Sequence, residues 1–312
     1  MPRAAGRSIG IILALAVLVA ASGCGRSTPL TPASAGGGSG ARFTVVAAES
    51  FWGSIAAQLA GARASVSSII VNPATDPHSY QPTAGDARAI ASANMVIFNG
   101  VGYDGWAPQL LHASPGEGRV VLDIGHSLGL AEGANPHRWY YPADVRAVIA
   151  RILAAYDRLD PADATYFAAR ARQLETVSLA RYDALRAEIR ARYAGVPVGY
   201  SESIFQGLGE DLGLRLLTPP GFVRAITEGT DVTAQEKQTV DRQALTHQIS
   251  VWVFNSQNVT PDVQRVNQLV LAAHIPIAIV TETLAPASAT FEQWQVAQLE
   301  GLLRALRRAT GR

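Results

Sequence analysis

The chain has 312 residues, 48% of them hydrophobic and 16% charged. That is too apolar for a disordered polymer and long enough for two lobes, since a single core stops growing at about 250–300 residues. Lys+Arg is 26 against Asp+Glu at 25, so no basic excess points to nucleic acid, and a lone cysteine excludes an intrachain disulfide or a Cys-rich zinc site.

Arg3 and Arg7 precede the apolar run Ile11–Ala20, and Ala21, Ser22, Gly23 and Cys24 follow. A basic start, an apolar segment and small residues read as a secretory signal over residues 1–23. The run is too short for a membrane span. Small residues directly before the cysteine resemble a bacterial lipobox, in which Cys24 is lipidated and becomes the mature N-terminus. Ala21 stands where leucine is usual, and an incidental cysteine in a secreted protein is the other reading. Residues 24–41, rich in Gly, Ser, Thr and Pro, read as a flexible tether. The mature chain would carry 24 basic and 25 acidic residues, once Arg3 and Arg7 leave with the signal.

From Arg42 the pattern alternates. Strands are expected at Phe43–Ala47, Val66–Val71, Met95–Phe98 and Val120–Asp123, with helices over Phe51–Leu59 and from Thr83 onward. Thr83 caps and Asp86, three residues on, complements it. Pro142 opens a helix whose apolar face is Val145, Ile149, Ile152, Leu153 and Tyr156. Asp160-Pro161 then starts a long helical stretch to Tyr193, stopped by Gly195. Roughly 33 residues at about 1.5 Å each give about 50 Å, enough to join two lobes.

The alternation restarts with a strand at Val196–Tyr200, a helix over Ile204–Leu212, and a capped helix from Thr233 to Leu245. It continues with a strand at Val251–Phe254, a helix from Thr260-Pro261 to Ala273, a strand at Ile275–Val280 and a closing helix over Phe291–Arg308. The fold class is α/β: two lobes, each a mostly parallel sheet flanked by helices, joined by one long backbone helix. The lobes are expected at residues 42–160 and 194–312, with 161–193 as the link.

Of six histidines, two lie in rigid Pro-His loops: His78 within Asn72–Pro82, just after a strand, and His137 within Asn135–Pro142, just before a helix. Proline restrains both loops, and a preorganised imidazole suits a metal ligand, although an isolated loop histidine also reads as a surface residue. Glu202 and Glu282 each follow a strand. Open α/β sheets bind ligands beyond the carboxyl ends of their strands, so two histidines of one lobe and two glutamates of the other would meet in the cleft. Taken alone, either glutamate also reads as an N-cap neighbour or a solvated acid. Asp86 reads as a capping acid, Trp106, Trp139 and Tyr140 as loop packing, and Asp231 as a turn acid near the cleft. His112, His126, His247 and His274 read as surface or satisfied side chains.

From Phe43 onward the chain resembles the solute-binding lipoproteins of bacterial metal ABC importers, the cluster A-I type that binds manganese, zinc or iron. The resemblance is carried by Asp76–Asp86, Asn99–Trp106, Asn135–Pro142, Tyr200–Glu202, Thr230-Asp231, Asn255–Gln257 and Thr281–Thr283, in that order. It implies metal ligands at His78, His137, Glu202 and Glu282. Zinc-type members carry histidine at the position of Glu202, and aspartate is usual at that of Glu282. Two imidazoles and two carboxylates favour manganese, with zinc close behind and iron also within the family's range. Binding would weaken as pH falls through the imidazole range.

The implied function is that of an extracytoplasmic lipoprotein that captures a divalent ion and delivers it to an ABC-type permease with a cytoplasmic ATPase. The protein would be a monomer held to the membrane through lipidated Cys24, with no nucleic-acid partner and no enzymatic activity. A secreted metal-dependent hydrolase using the same site is the alternative, but no His-Glu-x-x-His motif is present. Nothing resembles the separate module of an adhesin.

Overall fold

A computed structural model describes residues 42–75 and 80–312. The signal segment, the tether, Cys24 and His78 lie outside the described residues.

The first sheet is built from β1 (Phe43–Glu49), β2 (Ala64–Ile70), β3 (Met95–Phe98) and β4 (Val120–Asp123), all parallel, in the order β2-β1-β3-β4. α1 (Ser50–Ala60) returns from β1 to β2 and ends at Gly61, whose φ of 52° suits a residue without a side chain. α2 (Ala84–Ser92) has the reciprocal cap expected of Thr83 and Asp86. α3 (Trp106–Ala113) and the four-residue α4 (Ile124–Ser127) have no counterpart in the sequence reading. Both are too short to build an apolar period.

The second sheet repeats the plan. β5 (Pro197–Tyr200), β6 (Arg215–Leu216), β7 (Val251–Asn255) and β8 (Ile277–Val280) are parallel in the order β6-β5-β7-β8. Between them run α8 (Gln206–Asp211), α9 (Pro220–Glu228), α10 (Ala234–Leu245) and α11 (Pro261–Ala272). β6 has two residues and α9 opens on consecutive prolines, which is why neither stood out in the pattern.

The joining segment follows α5 (Pro142–Leu159) and is helical over most of its length without being regular. A 3₁₀ turn (Pro161–Asp163) leads into α6 (Ala164–Gln173), a π-turn over Leu174–Ser178 intervenes, and α7 (Ala180–Tyr193) completes it. A π-turn inserts one extra residue into the helical repeat and shifts the apolar face. The inward residues before it, Phe167 and Ala171, at its start, Leu174, and after it, Tyr182, Leu185 and Ile189, are all buried. The closing helix, α12 (Phe291–Thr310), packs on α7 and β8 and reaches α1. One apolar cluster therefore runs from Phe51 and Tyr156 by the first sheet to Val253 and Trp294 by the second.

Trp139 and Tyr140, read as loop packing, are fully buried. Trp139 stacks on Phe51 at 3.9 Å, and Tyr140 donates its hydroxyl to Gln298 Oε1 at 2.6 Å. They fix the loop that carries His137 against the core.

Candidate metal centre

Both sheets end their central strands at the same place. On the first, the loop Asn99–Asp104 follows β3, and the Asn135–His137 loop lies beside it. Asn99 joins the two by accepting from Trp52 Nε1 at 3.0 Å and donating to Pro136 O at 2.9 Å. Asp104 closes its own loop by accepting the backbone N–H groups of Asn99 (2.6 Å) and Gly100 (2.8 Å). On the second, Glu202 stands two residues beyond β5 and Glu282 two beyond β8. Both neighbouring strands pair with β7, so Asn255 at its end lies between the glutamates.

His137, Glu202 and Glu282 each offer a ligand atom within 4.8 Å of the other two. They are 0%, 0% and 2% exposed. His137 Nε2 lies 3.4 Å from Glu282 Oε2. Its other ring nitrogen, Nδ1, faces Asn135 Oδ1 at 2.9 Å, an oxygen that also accepts the His137 backbone N–H. An amide oxygen only accepts, so this network assigns the proton to Nδ1 and leaves the Nε2 lone pair directed at the carboxylates. Ser203 Oγ, from the second sheet, is 3.1 Å from the same Nδ1, and Asn135 Nδ2 donates to Ser203 O at 2.8 Å.

The carboxylates are held as firmly. Glu202 Oε1 accepts from Asn255 Nδ2 at 2.5 Å and Oε2 from Asn258 Nδ2 at 2.6 Å. Glu282 Oε1 accepts from the same Asn255 Nδ2 at 2.8 Å and Oε2 from the Tyr103 hydroxyl at 3.0 Å. Burial, and next the charge of Glu282, pushes the Glu202 carboxyl up to about 8. Burial pulls the His137 imidazole down to about 4. Two ionised carboxylates buried beside a neutral imidazole would carry more charge than amides and a phenol offset, and a divalent cation would complete the set.

A cavity of about 650 Å³ is lined by residues of both lobes, among them Tyr103, Asn135, Tyr200, Ser203, Arg224 and Thr227. Three of these are the partners of Glu282 and His137. Gln257 adds a tie across the sheets, donating Nε2 to Pro73 O in the loop that leads toward His78.

Of the four expected ligands, three meet, and His78 lies outside the described residues. Asp231 is exposed and stands outside this group, and Asp86 caps α2. His112 and His126 are exposed in α3 and α4, and His247 and His274 follow the ends of α10 and α11. Sequence reasoning did not assign roles to Tyr103, Asn135, Ser203, Asn255 or Asn258. It also missed a fully buried acid behind the site, Glu49, whose carboxyl is pushed well above its usual range by burial and then by the charge of Asp104.

Two parallel-sheet lobes with an imidazole and two carboxylates buried between their strand ends define a class of α/β protein built around a cation-sized site. Residues 45–305 match the family described as ZnuA, zinc-uptake complex component A periplasmic, and the chain belongs to that family. Among curated proteins it is 29% identical to the iron-binding protein YfeA of Yersinia pestis over 185 residues, 56% of this chain and 58% of the relative. It is 29% identical to the manganese-binding lipoprotein MntA of Halalkalibacterium halodurans over 167 residues, 52% of each. The matches thus span little more than half the length of these relatives. The Mn-bound periplasmic metal binding protein from Candidatus Liberibacter asiaticus shares the fold at a TM-score of 0.70 and 20% identity, over 85% of this chain and all of that one. The periplasmic zinc binding protein TroA from Treponema pallidum does so at 0.68 and 16%, over 85% and 99%.

Proposed function

We propose that this protein captures a divalent transition-metal ion outside the cytoplasm and hands it to an ABC-type permease. The observation that carries this reading is the buried His137–Glu202–Glu282 group at the facing strand ends. His78, on the loop after β2, is proposed as the fourth ligand, with manganese as the first ion, then zinc and iron. Ligands buried to this depth suit a carrier better than the hydrolase alternative, which needs an open coordination position and a base within reach of a substrate.

The family's periplasmic setting agrees with an extracytoplasmic site, and among the described residues no helix is long and apolar enough to cross a membrane. We place the attachment at lipidated Cys24. One acyl chain anchors marginally and two anchor stably. Cys24→Ser should therefore move the protein from the membrane to the soluble fraction, and a variant that still pellets with membranes would refute the anchor.

Metal binding is tested most directly by its pH dependence. The imidazole range is not the sensitive one for His137, which is already neutral well below pH 7. Glu202 is the group that still holds a proton there, up to about 8, and an ion must expel it. The same raised value means that the metal-free protein loses stability as pH rises toward 8, while the bound ion recovers it. Affinity should rise by about tenfold per pH unit from about pH 7 to 8 and then level off, with close to one proton released per ion at about pH 7. Calorimetry in buffers of different ionisation enthalpy measures both. A flat profile from pH 6 to 8 would remove Glu202 from the ligand set.

A further inference from the structure

We propose that Asn255 is a positioning residue that sets how the two glutamates present themselves to the ion, holding each to coordination through a single oxygen. The proposal rests on the metal-binding reading above and deepens it.

The argument begins with strand order. β7 lies between β5 and β8, so a side chain at its carboxyl end reaches the glutamate following either neighbour. Asn255 occupies that end and is fully buried. Its orientation is not free. The backbone N–H donates to Ser201 Oγ at 3.0 Å, and the side-chain Oδ1 accepts the Gln257 N–H at 3.0 Å. With the oxygen committed to a backbone donor, the nitrogen must face the acids.

That nitrogen has two hydrogens and two acceptors, Glu202 Oε1 at 2.5 Å and Glu282 Oε1 at 2.8 Å. A single neutral group thus draws the two buried carboxyls together and occupies the same oxygen of each. Asn258 holds the far oxygen of Glu202, and Tyr103 that of Glu282, the oxygen that lies 3.4 Å from His137 Nε2. To grip an ion with both oxygens, either carboxylate must turn its Asn255-bonded oxygen toward the ion, which strains or breaks a hydrogen bond shared with the other. With His78 and His137 supplying one nitrogen each, the set becomes four single-atom ligands. Aspartate at this position would add a third buried negative charge. Leucine would fill the space without a donor, and serine would supply only one hydrogen.

The test uses Co²⁺ alone as the probe, because its visible absorption is strong at four-coordinate sites and weak at six-coordinate ones. Wild type should give the strong band. Asn255→Leu should bind Co²⁺ about 10–100-fold more weakly, the range typical for loss of a partner behind the ligands, and its band should weaken as the freed carboxylates chelate through both oxygens. Its affinity for Zn²⁺ should fall by a larger factor than that for Mn²⁺, which accepts extra oxygens more readily. Asn255→Ser should lie between the two and serves if the leucine variant fails to fold. A weak band in wild type, or a weaker Kd with an unchanged band in a folded variant, would overturn the proposal and leave the metal site standing. A wild-type protein that takes up none of Co²⁺, Mn²⁺ and Zn²⁺ would overturn the proposed function as well.

Discussion

His137→Ala should lower affinity for manganese and zinc by more than the roughly 100-fold upper range for loss of a mere supporting partner. The expectation follows from how much of the structure is committed to this ring. Asn135 fixes its tautomer, Ser203 reaches it from the opposite lobe, and Trp139 and Tyr103 pack edge-on against it at 5.3 and 6.0 Å. The imidazole therefore reaches the ion already oriented and neutral, with little ordering entropy left to lose. Asn135→Ala should cost less, within about 10–100-fold, because the ring remains but its proton is no longer assigned. His112→Ala, in an exposed position at the end of α3, should change nothing. Calorimetric titration of the three variants decides the matter, and wild-type affinity in His137→Ala would dismantle the site.

The second large effect is expected at Glu202. Glu202→Ala removes a carboxylate and leaves Asn255 and Asn258 each short of one acceptor, so both ions should bind far more weakly and the metal-induced gain in thermal stability should shrink. Glu202→His is the more informative change. An imidazole offers one acceptor nitrogen, so it cannot both satisfy the two asparagines and bind the ion. It also raises the net charge of the site by one. Three nitrogens and one carboxylate suit zinc better than manganese, so manganese affinity should fall by the larger factor. The ratio of the two dissociation constants at fixed pH is the measurement. An unchanged ratio would mean that this position does not set selectivity.

The three expected ligands that meet in the structure, His137, Glu202 and Glu282, were legible because each sits just beyond a parallel strand or in a proline-locked turn. The supporting groups were not, because their partners are remote: Asn255 meets a glutamate 53 residues away, and Tyr103 one 179 residues away. No local period encodes such a contact. One signal was available for Asn255, since it ends a strand of the same sheet as the two acids. The joining helix was read from its length and apolar spacing, yet its π-turn was not, because one inserted residue hardly disturbs a count over thirty positions. α3 and α9 were lost to brevity and to proline or glycine at their starts.

Neither sheet owns the site. His137 belongs to the first and the two glutamates to the second, and the bonds that would bind them to one ion are only about 2.0–2.2 Å long. A separation of the lobes by about that distance is therefore enough to cut the ion's ligands to one side's share. Letting go then needs no competitor and no chemical step beyond the return of the proton that binding expelled. A partner that favours the parted arrangement lowers the apparent affinity in proportion to the fraction of time the halves spend together. Grip and release become two readings of a single mechanical coordinate.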